Sequence, residues 1–282
     1  MQEYIVMKLA GVVILYHPDE NIVENINSYI TDIDFLYIVD NSDDVTKKIK
    51  INLGLLNSKR YKYINLKKNM GIAYPLNFVL SLVNEFDFLL TMDQDSKFPP
   101  SMLEKYKQEI RAFNDYNIAM YTLNYNLNKI NKCSCKFSEI EKTITSGAIV
   151  SVKVAKKIGG FDEDLFIDEV DHEFCFRARK NGYKIIKFNN IYLLHHLGNP
   201  ITKKILGHHF GSTNHSPVRK YYITRNKIYV MKKYPKVWRE YVVFFVKTFI
   251  AMMLLENHRI TKLWYIFRGI KDGLVNNMGK LK

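Results

Sequence analysis

The sequence predicts an α/β fold with a mostly parallel sheet, followed by a helical, basic extension at the C-terminus. Short apolar runs rich in β-branched residues alternate with helical patterns of about 10 to 15 residues, which is typical of βαβ units. The 282 residues are 47% hydrophobic, which is enough for a sizeable core and argues against global disorder. We therefore expect one large domain over residues 1–216 and an extension over residues 217–282.

The positive charge lies almost entirely in the extension. The chain has a net charge of +14, and residues 217–282 contain 15 Lys and Arg against three Asp and Glu, so +12 of that charge lies there. Such a segment favours an anionic partner, which is nucleic acid, an acidic membrane or a phosphorylated substrate. The residues before it are nearly neutral, as expected for a globular body.

The cysteine content and the N-terminus both favour a cytoplasmic location. Cys133, Cys135 and Cys175 are too few for a disulfide framework, which favours a reducing compartment. The first 20 residues place the acidic Glu3 before an apolar run and contain no small-residue cleavage site. We therefore expect a buried first strand there and no signal peptide.

Four strand patterns separated by helical spacing are expected in the first hundred residues. Ala10–His17 is apolar and β-branched, Phe35–Asp44 runs into turn residues, and the segments YKYIN and FDFLLTMDQDS follow, while Asn21–Ile30 has helical spacing. Right-handed crossovers place the carboxyl ends of such strands along one edge, where ligands bind. We therefore expect the residues just past these strands to share a cleft. They are Tyr16, His17, Asp40, Asn41, Asn69, Gly71, Asp93, Gln94 and Asp95.

The second half of the chain is less regular. Met102–Phe113 predicts an amphipathic helix, residues 168–183 predict another helix, and residues 184–198 predict a strand pair. After Pro217 the pattern is helical, basic and aromatic. Tyr241–Leu255 is an apolar stretch of 15 residues, which is shorter than the roughly 20 residues needed to cross a bilayer. Its basic and tryptophan flanks suit an interfacial membrane helix, whereas the alternative is helices packed on the catalytic domain or on a second copy.

The sequence Asp93-Gln94-Asp95 ends a predicted buried strand with two carboxylates. A divalent ion such as Mg²⁺ or Mn²⁺ takes oxygen ligands, often a few from protein and the rest from phosphate and water. The pair therefore suits a metal–nucleotide site. The alternative is a solvated turn in which an aspartate caps the residues near Ser96, and an isolated D-x-D motif leaves both interpretations open.

A second acidic cluster comprises Asp168, Glu169, Asp171 and Glu173. On a helix, Asp168, Asp171 and His172 would share one face. Clustered carboxylates raise one another's pKa, which favours a general base. The alternative is an acidic first turn that complements the helix dipole.

Two further groups have side chains suited to a phosphate or metal site. His195 and His196 end an apolar strand pattern, and an imidazole can complete a metal shell begun by carboxylates. Arg219, Tyr222 and Arg225 could clamp a diphosphate by charge and hydrogen bonds. The alternatives are a histidine that serves only as a hydrogen-bonding group and a basic interfacial helix.

These elements succeed one another in a particular order: an aspartate at a strand end, Asn-x-Gly-Ile-Ala, D-x-D, Ser-Gly-Ala, Gly-Gly-Phe-Asp-Glu, the acidic helix, a histidine, and the arginine and tyrosine segment. This order closely resembles glycosyltransferase family 2, in its bacterial rhamnosyltransferase branch, over Val12–Tyr234. The resemblance implies a GT-A fold, in which a Rossmann-like sheet binds the nucleotide. It also implies inverting, metal-dependent transfer of L-rhamnose from dTDP-L-rhamnose to a glycan or lipid-linked acceptor in bacterial surface polysaccharide synthesis.

The resemblance also implies roles for individual residues. Asp171 matches the catalytic base, and the pattern departs from the family at Phe174, where Trp is frequent. The residues that match metal ligands are Asp93, Asp95 and His195, with His196 as the alternative histidine. Those that match the donor side are Tyr16, His17, Asp40, Asn69, Gly71, Asp93, Gln94, Arg219, Tyr222 and Arg225. Those that match the acceptor side are Ser146, Gly147, His172 and Glu173.

Other functions compete with this one. Another family 2 transferase would use a UDP-sugar, and a metal-dependent nucleotidyltransferase would share the sheet and the D-x-D motif but release pyrophosphate. A nucleic-acid-binding module would explain the basic extension but not the acidic cleft, so we expect no nucleic acid partner. The expected location is cytoplasmic and peripheral on the inner face of the membrane. The sequence leaves open whether the chain forms a homodimer.

Overall fold

The computed structural model describes residues 7–43, 53–113, 115, 117–125, 135–195, 201–205 and 208–281, with the backbone alone for residues 201–205 and 208–210. The chain divides into two compact units. The first comprises Met1–Glu163 and Val170–His196, and the second comprises Asp164–Glu169 and Leu197–Lys282. The boundary after residue 216 was inferred from charge, and it stays a prediction.

A mixed, mostly parallel sheet forms the centre of the first unit. Its strands are β1 (Leu9–Leu15), β2 (Phe35–Asp40), β3 (Tyr61–Asn65), β4 (Phe88–Asp93), β5 (Ser96–Lys97), β6 (Ile118–Tyr125), β7 (Phe137–Glu139), β8 (Ala148–Ser151) and β9 (Lys184–His195). Their order is β3-β2-β1-β4-β8-β6-β9-β5, and β7 also pairs with β9. The run β3-β2-β1-β4 and the pair β6-β9 are parallel, whereas β8 is antiparallel to both neighbours. The predicted α/β class is confirmed.

The register of the central strands brings their carboxyl ends to one level. Val12 and Val13 of β1 are fully buried, as expected for a parallel strand covered on both faces. Leu15 lies opposite Asp40 of β2, and Ile14 lies opposite Asp93 of β4. Two polar strand ends therefore flank β1 at the same edge of the sheet.

The described residues of the first unit also form five α-helices. They are α1 (Ile22–Asn27), α2 (Ala73–Leu82), α3 (Met102–Ala112), α4 (Val152–Lys157) and α5 (Val170–Lys180). Helix α3 buries Leu103, Tyr106 and Ile110, which recur at spacings of three and four, so the predicted amphipathic helix is confirmed. The predicted helix over Asn21–Ile30 is shorter, because α1 ends at Asn27 and a 3-10 turn follows at Ile30–Asp32.

The predicted strand pair over residues 184–198 is wrong, because β9 is one continuous strand of 12 residues. Contacts with neighbouring segments hold Asn189 and Asn190 within this strand. Asn189 Nδ2 donates to Cys135 O at 3.0 Å, and Asn190 Nδ2 donates to Glu109 Oε1 at 2.8 Å. These partners are distant in sequence, so local propensity could not have identified them.

In the part of the second unit that the structure describes, a pair of strands is followed by three α-helices. Strands β10 (Ile201–Ile205) and β11 (His208–Ser212) are antiparallel, and α6 (Pro217–Lys233), α7 (Trp238–Leu255) and α8 (Arg259–Leu274) follow. Ser216 caps α6 by accepting a hydrogen bond from Arg219 N, and Pro217 occupies the first turn. Among the residues that the structure describes, none of the helices combines the length and apolarity that a bilayer-spanning segment needs.

Helices α6 and α8 approach closely at two glycines. A Cβ atom on Gly269 would lie 2.7 Å from Tyr221 O, and one on Gly273 would lie 2.7 Å from Arg225 O. Both obstacles are backbone atoms of α6, which cannot rotate away. The contact between these helices therefore depends on the absence of side chains at two positions one turn apart.

We expect Gly273→Val to destabilise the protein. The new side chain would overlap Arg225 O and the side chain of Ile228, whose Cβ lies 2.8 Å from the position of the new Cβ. Overpacking of this kind costs about 1–3 kcal/mol, so the Tm in a thermal melt should fall by several degrees. Gly182→Ala is the control, because its Cβ would meet no atom within 4 Å and only its positive φ would oppose the change. An equal fall in both variants would contradict this account of the helix contact.

Candidate active site

Asp93, Asp95 and His195 form a group of potential metal ligands in the first unit. One ligand atom from each residue lies within 4.8 Å of those of the other two. Asp93 is the last residue of β4, Asp95 follows two residues later, and His195 is the last residue of β9. His195 Nδ1 lies 3.7 Å from Asp95 Oδ1. The aspartates are exposed, so this group faces solvent and any ligand that enters from it.

Strand pairing places His195 beside the two aspartates. The short strand β5 pairs antiparallel with β9, and Ser96 lies opposite His195. Ser96 Oγ lies 2.7 Å from His195 Nδ1 and 2.8 Å from Ser146 Oγ, which in turn accepts a hydrogen bond from Asp93 N at 3.4 Å. Two buried serines thus link the histidine to the strand end that carries Asp93.

Sequence analysis assigned Ser146 to the acceptor side and gave Ser96 no functional role. The structure places both serines against the group of potential metal ligands, and Gly147 follows with φ +72°. A Cβ on Gly147 would lie 2.9 Å from Leu193 Cδ2 of β9, so the glycine permits close approach there. The signal for Ser96 was its position directly after the Asp-Gln-Asp motif.

Tyr125 is a second residue that sequence analysis missed. It ends β6, its hydroxyl donates to Ser146 O at 3.0 Å, and its ring centroid lies 5.9 Å from that of His195. Burial raises the pKa of Tyr125, and the negative charges of Asp93 and Asp171 raise it as well. The carboxylates of Asp93 and Asp171 therefore both act electrostatically on this hydroxyl.

Tyr16, His17 and Gln94 meet where β1 and β4 end. Tyr16 N donates to Gln94 Oε1 at 2.8 Å, and Gln94 Nε2 donates to Tyr16 O at 3.2 Å. The rings of Tyr16 and His17 contact edge to face at 4.4 Å, and His17 Nε2 lies 3.2 Å from Asp43 Oδ1. An exposed aromatic pair above an amide is suited to stacking and hydrogen bonding with a nucleobase.

The carboxylate of Asp40 is buried, and nearby residues of the protein donate hydrogen bonds to both of its oxygens. Oδ1 accepts a hydrogen bond from Ser42 N at 3.0 Å, and Oδ2 accepts one from the Tyr63 hydroxyl at 2.5 Å. Partial burial raises the pKa of Tyr63, and the hydrogen bond to Asp40 and its negative charge raise it further. A ligand that binds Asp40 would have to share these oxygens with the protein.

Asn41 joins the end of β2 to the turn at Asn69 and Gly71. Its Nδ2 donates to Gly71 O at 2.8 Å, and its Oδ1 accepts from Met70 N at 2.8 Å. Asn69 Oδ1 accepts from Gly71 N at 2.9 Å, and Gly71 has φ +80°. The structure therefore brings these predicted donor-side residues together.

The acidic segment is arranged differently from the prediction. Helix α5 begins at Val170, so Asp168 lies outside it. The prediction that Asp168, Asp171 and His172 share one helical face is therefore wrong. Asp171 lies in the first turn, where its Oδ1 accepts from His172 N at 2.9 Å. Glu173, predicted on the acceptor side, is fully buried and pairs with Arg177 at 2.9 Å.

Arg177 anchors α5 to the preceding turn as well as neutralising Glu173. Its Nη2 donates to Gly160 O at 2.6 Å, and Asn77 of α2 donates to Phe161 O at 2.8 Å. The glycine and phenylalanine of the Gly-Gly-Phe motif are thus held from two helices. The helix that carries Asp171 is consequently fixed within the first unit by a buried ion pair and backbone contacts.

Comparison with known proteins gives a family for this site. The model of the family "Glycosyl transferase family 2" matches residues 12–147, which begin within β1 and contain β2 to β7 and the Asp-Gln-Asp motif. The chain carries a family 2 glycosyltransferase domain. It is also 29% identical over 248 residues to "dTDP-rhamnosyl transferase RfbF" from Shigella flexneri, an alignment that covers 80% of each chain.

Solved structures support the GT-A fold of this family 2 glycosyltransferase. GalNAc-T7 with UDP, GalNAc and Mn²⁺ aligns with a TM-score of 0.61 at 9% identity, over 82% of this chain and 48% of that chain. The chain thus spans about half the length of GalNAc-T7. The S. aureus TarS fragment 1–349 in complex with UDP-GlcNAc aligns with a TM-score of 0.53 at 16% identity, over 96% of this chain and 73% of that chain. At such identities the likeness shows the fold.

The ligand atoms of Asp93, Asp95 and His195 fit a divalent cation. Two carboxylates and one imidazole suit Mn²⁺, and carboxylates with water and phosphate suit Mg²⁺. In this glycosyltransferase domain, Asp93, Asp95 and His195 would hold such an ion. Their roles stay predictions, and His196 lies outside the described residues.

Three residues predicted on the donor side of the glycosyltransferase belong to the second unit. Arg219 pairs with Asp168, with Nε 2.7 Å from Oδ2. Arg225 is fully buried, and its Nη1 donates to Gly279 O at 2.6 Å. The Tyr222 hydroxyl accepts from Leu281 N at 2.7 Å. Their placement favours a structural role for Arg225, and all three assignments stay predictions.

Proposed function

We propose that this glycosyltransferase moves L-rhamnose from dTDP-L-rhamnose to a hydroxyl of a glycan or lipid-linked acceptor in bacterial surface polysaccharide synthesis. The observation that carries the proposal is the group of potential metal ligands formed by Asp93, Asp95 and His195 at the carboxyl edge of the sheet. Similarity to "dTDP-rhamnosyl transferase RfbF" supports the choice of donor. Another family 2 transferase that uses a UDP-sugar is the alternative.

In the proposed reaction Asp171 is the general base. Its carboxylate takes the proton of the acceptor hydroxyl while that oxygen forms a bond to the anomeric carbon of the donor. The bond from that carbon to the diphosphate breaks, and the nucleoside diphosphate leaves on the opposite face, which inverts the configuration. General base catalysis of this kind contributes about 10²–10⁴ in rate.

The group of metal ligands would support departure of the diphosphate. A divalent cation bound by Asp93, Asp95 and His195 supplies positive charge for the diphosphate of the donor. The protein's own contribution is to hold these ligands in place through the Ser96 and Ser146 hydroxyls. Mg²⁺ and Mn²⁺ are both compatible with two carboxylates and one imidazole as ligands.

The product distinguishes the proposed function from its alternatives. With Mg²⁺ or Mn²⁺, we expect dTDP-L-rhamnose to raise the Tm more than UDP- or GDP-sugars do, and turnover to release dTDP. Release of pyrophosphate from a nucleoside triphosphate would identify a nucleotidyltransferase instead. A preference for a UDP-sugar would retain the reaction class and overturn the choice of donor.

We also propose that the second unit contacts the cytoplasmic face of an anionic membrane. Helix α8 exposes Ile260, Trp264, Phe267 and Leu274, which are 84%, 56%, 67% and 57% exposed and recur at multiples of three and four residues. Its glycine face packs on α6, so this apolar stripe is turned away from α6. A helix with an apolar stripe and basic neighbours is suited to the membrane interface.

Charge distinguishes a membrane from a second copy of the chain. Of the three acids in residues 217–282, Glu256 is buried between Lys220 and Lys262, and Asp272 is buried where Tyr221 donates to it at 2.7 Å. The exposed charge is therefore mainly positive. A symmetric dimer through this surface would place like charges together, whereas anionic lipids would attract them. The exposed cations are Lys232, Lys233, Lys236, Arg239, Lys247, Arg259, Lys271 and Lys280.

We expect the protein to co-sediment with phosphatidylglycerol-containing vesicles at low salt but not with neutral vesicles. The double variant Trp264→Ser, Phe267→Ser should lose most of this binding, because it removes two exposed aromatic residues of α8. Leu55→Ser is the matched control, since Leu55 is 62% exposed in the first unit. A different result would assign the stripe to a second copy of the chain. In that case the unmodified protein would not bind vesicles but would dimerise as its concentration rises, and the double variant would stay monomeric.

A further inference from the structure

The segment of residues 164–169 has an unusual backbone. Phe166, Asp168 and Glu169 have φ values of 49°, 65° and 64°, in the left-handed region that favours glycine. Such a conformation persists only where surrounding contacts determine it. The segment belongs to the second unit, and its chain continues directly into α5 at Val170, one residue before Asp171.

Asn226 of α6 is the main contact of this segment. It is fully buried, and its Nδ2 donates to Leu165 O at 2.6 Å, to Ile167 O at 2.6 Å and to Asp168 O at 2.9 Å. An amide group has only two N–H donors, so three carbonyls share them. The Oδ1 atom accepts from Arg225 Nε at 2.9 Å, which fixes the orientation of the amide.

The side chain of Glu169 is held from two helices of the second unit. Lys227 Nζ of α6 lies 2.5 Å from Glu169 Oε1, and the Tyr241 hydroxyl of α7 donates to Glu169 Oε2. Both members of the ion pair are buried, and Lys227 Nζ lies 4.1 Å from the centre of the Tyr241 ring. The backbone at Glu169 therefore cannot rotate to an ordinary helical conformation without breaking a buried ion pair.

We propose that Asn226, Lys227 and Tyr241 are positioning residues for Asp171. They hold the left-handed backbone of Asp168 and Glu169, which directly precedes the start of α5 at Val170. The inference rests on the proposed role of Asp171 as the general base. Displacement of a reacting group by about 1 Å can cost about 10² in rate, so a change in this segment should affect the chemical step.

The test compares Asn226→Ala with Tyr241→Phe in the full-length protein with dTDP-L-rhamnose and Mn²⁺ or Mg²⁺. We expect Asn226→Ala to lower kcat by at least tenfold and Tyr241→Phe to lower it by a smaller factor. Neither variant should change the donor dissociation constant by more than about twofold. Tyr241→Phe keeps the aromatic ring against Lys227, so it stays informative if Asn226→Ala fails to fold.

Tyr221→Phe is the control for a purely structural effect. It removes the hydrogen bond from the α6 residue Tyr221 to Asp272, which does not involve residues 164–169. We expect its Tm to fall while kcat at a temperature well below the Tm is unchanged. A wild-type kcat in the folded Asn226 and Tyr241 variants would overturn the inference, as would a parallel loss of donor affinity. Absence of donor turnover by the unmodified protein would instead overturn the proposed function.

Discussion

Asp171→Asn should lower kcat for sugar transfer by about 10²–10⁴ or more and leave donor binding nearly unchanged. The amide keeps the size of the side chain but cannot take a proton from the acceptor hydroxyl. Asp171 lies in the first turn of α5, whose orientation is held by the Glu173–Arg177 pair and not by Asp171 itself. The measurements are initial rates of dTDP release with acceptor and calorimetric titration with donor.

Glu139→Gln is the control for this prediction, because Glu139 is an exposed carboxylate of β7. Its kcat and donor affinity should match those of the unmodified protein. If Asp171→Asn lost donor affinity together with activity, Asp171 would have a structural or metal-binding role. If Asp171→Asn kept full activity, another residue would be the general base. The proposal that Asn226, Lys227 and Tyr241 position the base would then be wrong as well.

Asp95→Asn should abolish metal-dependent donor binding as well as turnover. Asp95 lies in the one ligand group found among the described residues, with Asp93 and His195. Loss of one of two carboxylates removes a negative charge from that group and should weaken Mn²⁺ binding more than tenfold. The measurement is the metal-dependent rise in Tm, with and without nucleotide, which needs no activity.

Chelation provides an independent check of the metal prediction. Treatment of the unmodified protein with a chelator should stop turnover, and added Mn²⁺ or Mg²⁺ should restore it. Glu141→Gln, which alters an exposed carboxylate, should respond to metal like the unmodified protein. Turnover that persists in excess chelator, or an unaltered metal response of Asp95→Asn, would contradict the assignment.

Local patterns predicted much of the fold because strands and helices of one α/β unit are close in sequence. The apolar runs that became β1, β2 and β4 are continuous, and each ends in polar residues. Parallel pairing aligns such ends without further information, so Tyr16 could be expected beside Gln94. The helical character after Pro217 followed in the same way from local spacing.

The sequence by itself determined the α/β class, the polar edge of the sheet and the helical character of the basic segment after Pro217. Only the tertiary structure decided which distant side chains meet. His195 reaches Asp95 because β5 pairs with β9, a contact between residues about one hundred positions apart. The helix expected from Asp168 begins at Val170, because Asn226 and Lys227 hold the preceding residues in a left-handed backbone. Such contacts leave no periodic pattern in the sequence, because they join residues that become neighbours only when the chain folds. Their free energy comes from burial and pairing in the folded state.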